Sequence, residues 1–416
     1  MPFRFIVFAL VSSSALAADL DWPRFRGPDG AGISAAAGVP ATWSQDENLR
    51  WKIELPGAGT SSPVIVGGKI YLTCYRGFGV PGARGDMQDL ERLLICLDAK
   101  DGKQLWSQTV PTKLPEQERI RDDHGYTSST PIVAGDRIYA FFGKSGVFAF
   151  DLTGKQLWQA DVGDGLNGWG SAASVTLHKN LVLVNASVES ESLVALDAKD
   201  GKEVWRAKGI KESWATPLVV RAADGKDELI VPIFGQVLSL DPATGDKLWT
   251  CNTDIGWYMV PSPVAKDGVI YIIGGRSGGM LAIRAGGRGD VTDTHRLWTG
   301  KKGSNVSSPV IHGEHLYWVS DAQGIAYCAR LATGEIVYEE RLPRGGQFYA
   351  PALLLGDKLC YLNREGRAFV LPVGPQYTEP TVNDLRDRSL FHAGGAVSGG
   401  RLFLRSDKYL YCVGGK

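Results

Sequence analysis

The residues of this chain that could do chemistry fall into a few sets. Flat aromatic surfaces are available at Tyr126, Trp169, Trp214, Tyr258 and Tyr349, with His392 able to join them. Glu189, together with Asp321 or Asp407, could serve a cation or act as a base, while Arg276 and Arg364 could hold an anionic group. Asn305 completes the group. Aromatic platforms with mixed charges suit a planar cofactor, a sugar or a peptide. Each of these side chains alone is an ordinary loop charge or a piece of packing, so a site exists only where the fold gathers them.

The elements that must gather them are legible as a repeat. LDAKDGKQLW closes at Trp106, FDLTGKQLW at Trp158, LDAKDGKEVW at Trp205 and LDPATGDKLW at Trp249. A degenerate copy ends at Trp298, RLATGEIVY ends at Tyr338, and NLRWKIEL carries Trp51 without a turn of its own. Spacings of roughly 40 to 55 residues mark a propeller or solenoid array, in which no repeat buries its apolar face alone. Within the first repeat, SSPVIVGG reads as the inner strand, KIYLTC as the second, LLICLDAKDG as the third and KQLWSQTV as the outermost. Inner strands recur at SSTPIVAG, SAASVTLH, ATPLVVRA, PSPVAKDG, SSPVIHGE, APALLLGD and GGAVSGGR, eight in all.

The last repeat has three strands, and NLRWKIELP near the N-terminus supplies the fourth. The expected fold is therefore all-β, an eight-bladed β-propeller of four-stranded antiparallel blades closed by an N-terminal strand, with seven blades as the lesser count. Trp51, Trp106, Trp158, Trp205, Trp249 and Trp298 are structural in this layout, packing across blade interfaces with each N–H reaching a backbone carbonyl. Asp98, Asp151, Asp197 and Asp241 bond the turns that Gly102, Gly154, Gly201 and Gly245 complete, and supply too few oxygens for calcium. Loops entering the inner strands, and those after the second strands, gather at one channel mouth and carry the candidate residues.

Composition agrees with many short strands joined by glycine turns, with 52 Gly and 12 Trp in 416 residues. Formal net charge is +0 with both signs interspersed, so no basic face points to nucleic acid. Arg4, the apolar run Phe5 to Val11 and the small residues Ala15-Leu16-Ala17 read as a secretory signal peptide over residues 1–17, leaving residues 18–416 as a single propeller domain. The mature protein is expected in the periplasm or secreted, with no transmembrane segment after cleavage and as a monomer. Among the six cysteines there is no CxxC and no haem-type CxxCH. Cys96, Cys328 and Cys412 take a slot filled elsewhere by Ala149, Ala195, Ser239 and Ala282, a small residue assigned to an inner strand. A bridge between Cys74 and Cys96, on neighbouring strands of one blade, stays open.

The strand-turn-strand unit ending in Trp resembles the pyrroloquinoline quinone (PQQ) enzyme repeat of quinoprotein dehydrogenases and of BamB-like outer-membrane assembly proteins, over nearly the whole mature chain. The opening DWPRFRGPDGAGIS is similar to that of secreted PQQ-like propellers. The resemblance implies an exported binding or scaffold module without catalysis or cofactor, with a protein or glycan partner and no nucleic acid. Its alternative is a PQQ-dependent dehydrogenase with a reduced active site, holding the quinone with calcium. Quinoprotein alcohol dehydrogenases carry a vicinal cysteine pair and longer loops, and no two cysteines are adjacent here. BamB-like scaffolds are tethered by a lipidated cysteine, for which this leader offers no residue.

Overall fold

Burial patterns along a single blade explain why its strands read so differently in sequence. In blade 1 the strands Lys69–Arg76 and Glu91–Asp98 are buried at nearly every position, whereas the outer strand Gln104–Val110 alternates. Middle strands are covered on both faces by neighbouring blades and so become continuous apolar runs; the outer strand is half solvated. The computed structural model of the protein describes residues 21–36, 38–120, 124–276 and 278–415. The expected signal peptide over residues 1–17 lies outside them, as do residues 121–123.

Eight sheets form the ring. Their inner strands are Val64–Val66, Ile132–Ala134, Thr176–His178, Leu218–Arg221, Val264–Lys266, Val310–His312, Leu353–Leu355 and Ala396–Ser398, which number blades 1 to 8. Leu49–Glu54 pairs antiparallel with Tyr409–Val413 and completes blade 8, as the sequence predicts. Two blades exceed the expected four strands. Gly289–Asp290 adds in parallel to Lys247–Asn252 of blade 4, and Ile33–Ser34 adds in parallel to Leu353–Leu355 of blade 7.

Every outer-strand aromatic of the repeat faces a small residue across the ladder. The pairs are Trp106 with Cys96, Trp158 with Ala149, Trp205 with Ala195, Trp249 with Ser239, Trp298 with Ala282, Tyr338 with Cys328 and Trp51 with Cys412. The small-residue slot therefore lies on the third strand, not an inner strand, where it leaves room for the ring. All six cysteines are buried and free. Cys74 faces Leu93 and Cys96 faces Tyr71, so the neighbouring strands do not align the two sulfurs and the open bridge does not form.

Each ring also docks on the turn of the next blade. The indole N–H of Trp106 donates to Leu152 O at 3.2 Å, Trp158 to Ala198 O at 3.2 Å, Trp205 to Pro242 O at 3.2 Å and Trp298 to Leu331 O at 2.8 Å. Trp249 departs from the expected carbonyl and donates to the buried Glu228 carboxylate at 2.7 Å, because the turn it meets in blade 5 is the degenerate one. Glu228 also accepts from Gly286 N at 3.2 Å, so one carboxylate stands in for the missing turn. Trp51 is the other departure, its buried N–H finding no partner among the described residues. Asp98, Asp151, Asp197 and Asp241 accept from the N–H two residues on, at 2.7–2.8 Å.

The docked turns require glycine for two separate reasons. Gly201 has φ +75°, and a methyl group there would lie 2.6 Å from the Trp158 ring. Gly201→Ala is expected to cost about 2–4 kcal/mol from the collision and the left-handed backbone together. Gly235→Ala, at φ +72° with open space around it, isolates the backbone part. Thermal melting of the two variants should differ clearly; equal losses would show that the indole contact contributes nothing.

The N-terminal segment does more than lead into the closing strand. Trp22 pairs with Ile65 of blade 1, and Pro23 O accepts from Val133 N of blade 2 at 2.8 Å. Arg26, 2 % exposed, donates to Ala31 O at 2.8 Å and to Pro309 O of blade 6, and Gly32 O accepts from Leu354 N of blade 7 at 2.9 Å. Residues 22–34 thus cross beneath the ring as a strap, and Phe25 reaches the bottom of the shaft.

Candidate functional site

The shaft is walled by the residues just before each inner strand. Ser62 N donates to Thr130 Oγ1 at 2.9 Å, Thr130 N to Ser174 Oγ at 3.0 Å, Ser174 N to Thr216 Oγ1 at 3.1 Å, Thr216 N to Ser262 Oγ at 3.1 Å and Ser262 N to Ser308 Oγ at 2.9 Å. Each blade is thereby tied to the next by a hydroxyl accepting an N–H that no ladder uses. Pro351 and Gly394 occupy the equivalent positions in blades 7 and 8, where the relay stops. The cavity within is small, about 100 Å³.

Above it the loops open into a basin of about 570 Å³. Seven of the eleven sequence candidates line it: Trp169, Trp214, Tyr258, Arg276, Asn305, Asp321 and Tyr349. The basin is lopsided, built most heavily from blades 5 and 6. His124, Lys301, Lys302 and Gln323 also line it, and the two lysines were not among the candidates because they follow an outer strand instead of a second strand.

Tyr258 is the hub of the aromatic wall. Its ring centre lies 5.7 Å from Trp169, 5.6 Å from Trp214 and 5.4 Å from Trp257, at interplanar angles of 52°, 71° and 50°. Trp214 is fixed by its N–H donating to Gly170 O at 2.7 Å, which ties the blade 3 and blade 4 loops together. These tilted arrangements are the favoured geometry for aromatic rings in contact, and they present edges and single faces to the cavity.

Polar groups are set among these rings. Asp321 Oδ1 accepts from Asn305 N at 2.7 Å and from Ser304 Oγ at 3.2 Å. Asn305 Nδ2 reaches Tyr258 Oη at 3.5 Å, and its Oδ1 is buried without a hydrogen-bond partner among the described residues. The Arg276 guanidinium lies 5.0 Å from the centre of the Trp257 ring. Lys302 pairs with Glu339 at 2.9 Å.

Arg364 and His392 form a neighbouring cluster. Arg364 sits 4.4 Å over the Tyr349 ring, donates from Nη1 to Gln347 at 2.7 Å and from Nε to His392 Nε2 at 3.0 Å. Since Arg can only donate, His392 Nε2 is an acceptor and the ring is neutral in this arrangement. His392 itself faces the shaft.

Tyr126 and Glu189 stand outside the basin. Tyr126 packs edge-on to Tyr75 at 5.4 Å and donates its hydroxyl to Gln117 O at 2.6 Å. Glu189, 4 % exposed, lies in a short helical turn Ser187–Ser190 and accepts from the Ser171 hydroxyl, while its Oε2 has no partner. Burial, the largest cause, pushes its carboxyl up to about 7; the Ser171 bond opposes that shift. Beside it lies the buried pair Arg92–Glu116 at 2.6 Å, which sequence reading did not single out. Arg92 also donates to Tyr126 O at 3.1 Å and Ser145 Oγ at 2.9 Å, pinning the long loop after blade 1. Glu189, Asp321 and Asp407 belong to blades 3, 6 and 8 and do not converge; among the described residues no group of three His, Cys, Asp or Glu side chains is placed to hold a metal ion.

Fold and mouth together define a closed eight-bladed β-propeller with a strapped floor and an aromatic basin at the opposite end. A family profile described as outer membrane protein assembly factor BamB matches residues 30–165, 76–221 and 165–340, and the chain belongs to this family of PQQ-like β-propellers. It is 30% identical over 167 residues to the outer membrane protein assembly factor BamB of Burkholderia pseudomallei (strain K96243), covering 37% of this chain and 39% of that one. It is 23% identical over 343 residues to the tetrathionate hydrolase of Acidithiobacillus ferrooxidans, covering 72% of this chain and 62% of that one. The chain thus spans about two fifths of the length of the BamB relatives it matches. Among solved structures it resembles BamB from Moraxella catarrhalis, with a TM-score of 0.62 at 15% identity over 88% of this chain and 97% of that one. It also resembles the quinohemoprotein alcohol dehydrogenase from Comamonas testosteroni, with a TM-score of 0.52 at 15% identity over 97% and 82%. Both likenesses are of fold. No helix among the described residues is long and apolar enough to cross a membrane.

Proposed function

We propose that the protein is an exported, periplasmic or secreted PQQ-like propeller that works as a binding or scaffold module at its channel mouth, without catalysis. The observation that carries this reading is the basin itself, a recess of about 570 Å³ walled by aromatics and rimmed by cations. Such recesses with a few convergent polar groups are where propellers and other folds receive ligands. A protein or glycan partner fits its mixture of rings and charges, and the relatives named as assembly factors make a scaffold role the natural context.

PQQ with calcium does not fit this chemistry. A quinone held by a divalent cation needs converging oxygen ligands and flat surfaces to clamp the ring. Among the described residues the basin offers one carboxylate, Asp321, with one oxygen already accepting two hydrogen bonds, and rings tilted by 50–71° around Tyr258. Calorimetric titration of the mature protein with PQQ, with and without calcium, is expected to give no saturable heat, and a dye-linked alcohol and sugar assay no turnover. Calcium-dependent saturation together with dye reduction would replace this reading with the quinoprotein dehydrogenase.

A further inference from the structure

We propose that the basin is a site for an acidic carbohydrate, a pyranose bearing a carboxylate. This rests on the reading of the mouth as a binding site and names the chemistry of its ligand.

Three independent features of the basin converge on that class. The first is the shape of the aromatic wall. Around Tyr258 the rings of Trp169, Trp214 and Trp257 are tilted by 50–71°, so they offer the cavity single faces and edges. A saturated sugar ring needs only one aromatic face, against which its axial C–H groups lie, and leaves its hydroxyls pointing outward to polar partners.

The second is charge. Arg276 and Lys301 line the basin and neither makes an ion pair among the described residues. Arg276 is held over Trp257, which orients the guanidinium without neutralising it. Lys302 is paired with Glu339, and Asp321 keeps its charge while accepting from the Asn305 N–H and Ser304 hydroxyl, so among the described residues Arg276 and Lys301 outweigh it and leave the basin net positive. A guanidinium and an ammonium on one rim suit a carboxylate, the first by a two-pronged bond and the second as a point charge.

The third is hydrogen-bonding capacity. Asn305 and Gln323 line the basin beside Tyr258, and Asn305 Nδ2 lies 3.5 Å from Tyr258 Oη, a contact long enough to yield to a sugar hydroxyl. Apolar face, anion and hydroxyl donor on one small ligand describe a uronic acid.

The test is calorimetry on the full mature chain with digalacturonate, its neutral counterpart galactobiose, a tetraglutamate peptide, and PQQ with calcium. Saturable digalacturonate binding is expected, weakened on the order of tenfold or more by Arg276→Gln and by Asn305→Ala, and on the order of tenfold or more tighter than galactobiose. Unchanged melting of both variants keeps the comparison free of misfolding. Equal affinity for the neutral sugar, or no heat with digalacturonate, overturns the inference. Tetraglutamate binding without digalacturonate also overturns it while leaving the mouth a binding site. Calcium-dependent PQQ binding removes the underlying reading as well.

Discussion

Arg92→Met is expected to destabilise the protein by about 3–5 kcal/mol, the usual cost of leaving a buried charge without its partner. Arg92 and Glu116 are 3 % and 6 % exposed and meet at 2.6 Å, with the guanidinium also serving Tyr126 O and Ser145 Oγ. Its loss strands a carboxylate and two further acceptors under the long loop between blades 1 and 2. Arg92→Met combined with Glu116→Leu should recover most of the loss, because the uncompensated charge goes with it. Equilibrium unfolding of the single and double variants checks this; a double variant as weak as the single would show that the pair acts through packing. Arg92 also holds the nearby Glu189 carboxyl down, so removing it alone should move the Glu189 titration higher still.

Glu189→Gln should have the opposite sign, and only at higher pH. The group ionises near 4.5 when unfolded and at about 7 in the fold, because burial disfavours the charged form. Between those values the unfolded chain releases a proton that the folded chain keeps. Stability therefore falls as pH rises through this window and levels off above the folded value, by about 3 kcal/mol in total. A neutral glutamine has no such dependence. The variant should match the parent below pH 4.5 and exceed it by about 3 kcal/mol well above pH 7. Melting curves across pH 4 to 9 measure the difference, and a constant offset would mean that Glu189 is charged throughout.

The sequence makes the ring legible because repetition shows through every blade at once. The inner strands, the tryptophan slots and the closing strand at Leu49–Glu54 are all where the pattern places them. The mouth is legible in part, since a loop's position in the repeat assigns it to an end of the channel. That rule brings Trp169, Trp214, Tyr258, Arg276, Asn305, Asp321 and Tyr349 together. It gives no depth, however. Tyr126 and Glu189 occupy equivalent loops but are buried, outside the lining of the basin. Arg92–Glu116 and Trp249–Glu228 depend on side chains far apart in sequence and irregular in the repeat, so nothing periodic announces them. The hydroxyl relay had a signal, a Ser or Thr two residues before the inner strand from blade 1 to blade 6, and could have been read directly.

Closing blade 8 with Leu49–Glu54 has a consequence for the order in which the molecule can be made. The strand carrying Trp51 leaves the ribosome long before its partner around Cys412, with the other blades in between. The strap shares this delay, since Arg26 waits for Pro309 and Gly32 for Leu354. Until then the nascent chain has one exposed sheet edge at each end and an open floor, while the blades between can assemble on local contacts alone. Ring completion is thus a late, long-range step, and the rate of folding should be limited by the meeting of the two ends rather than by the formation of any blade.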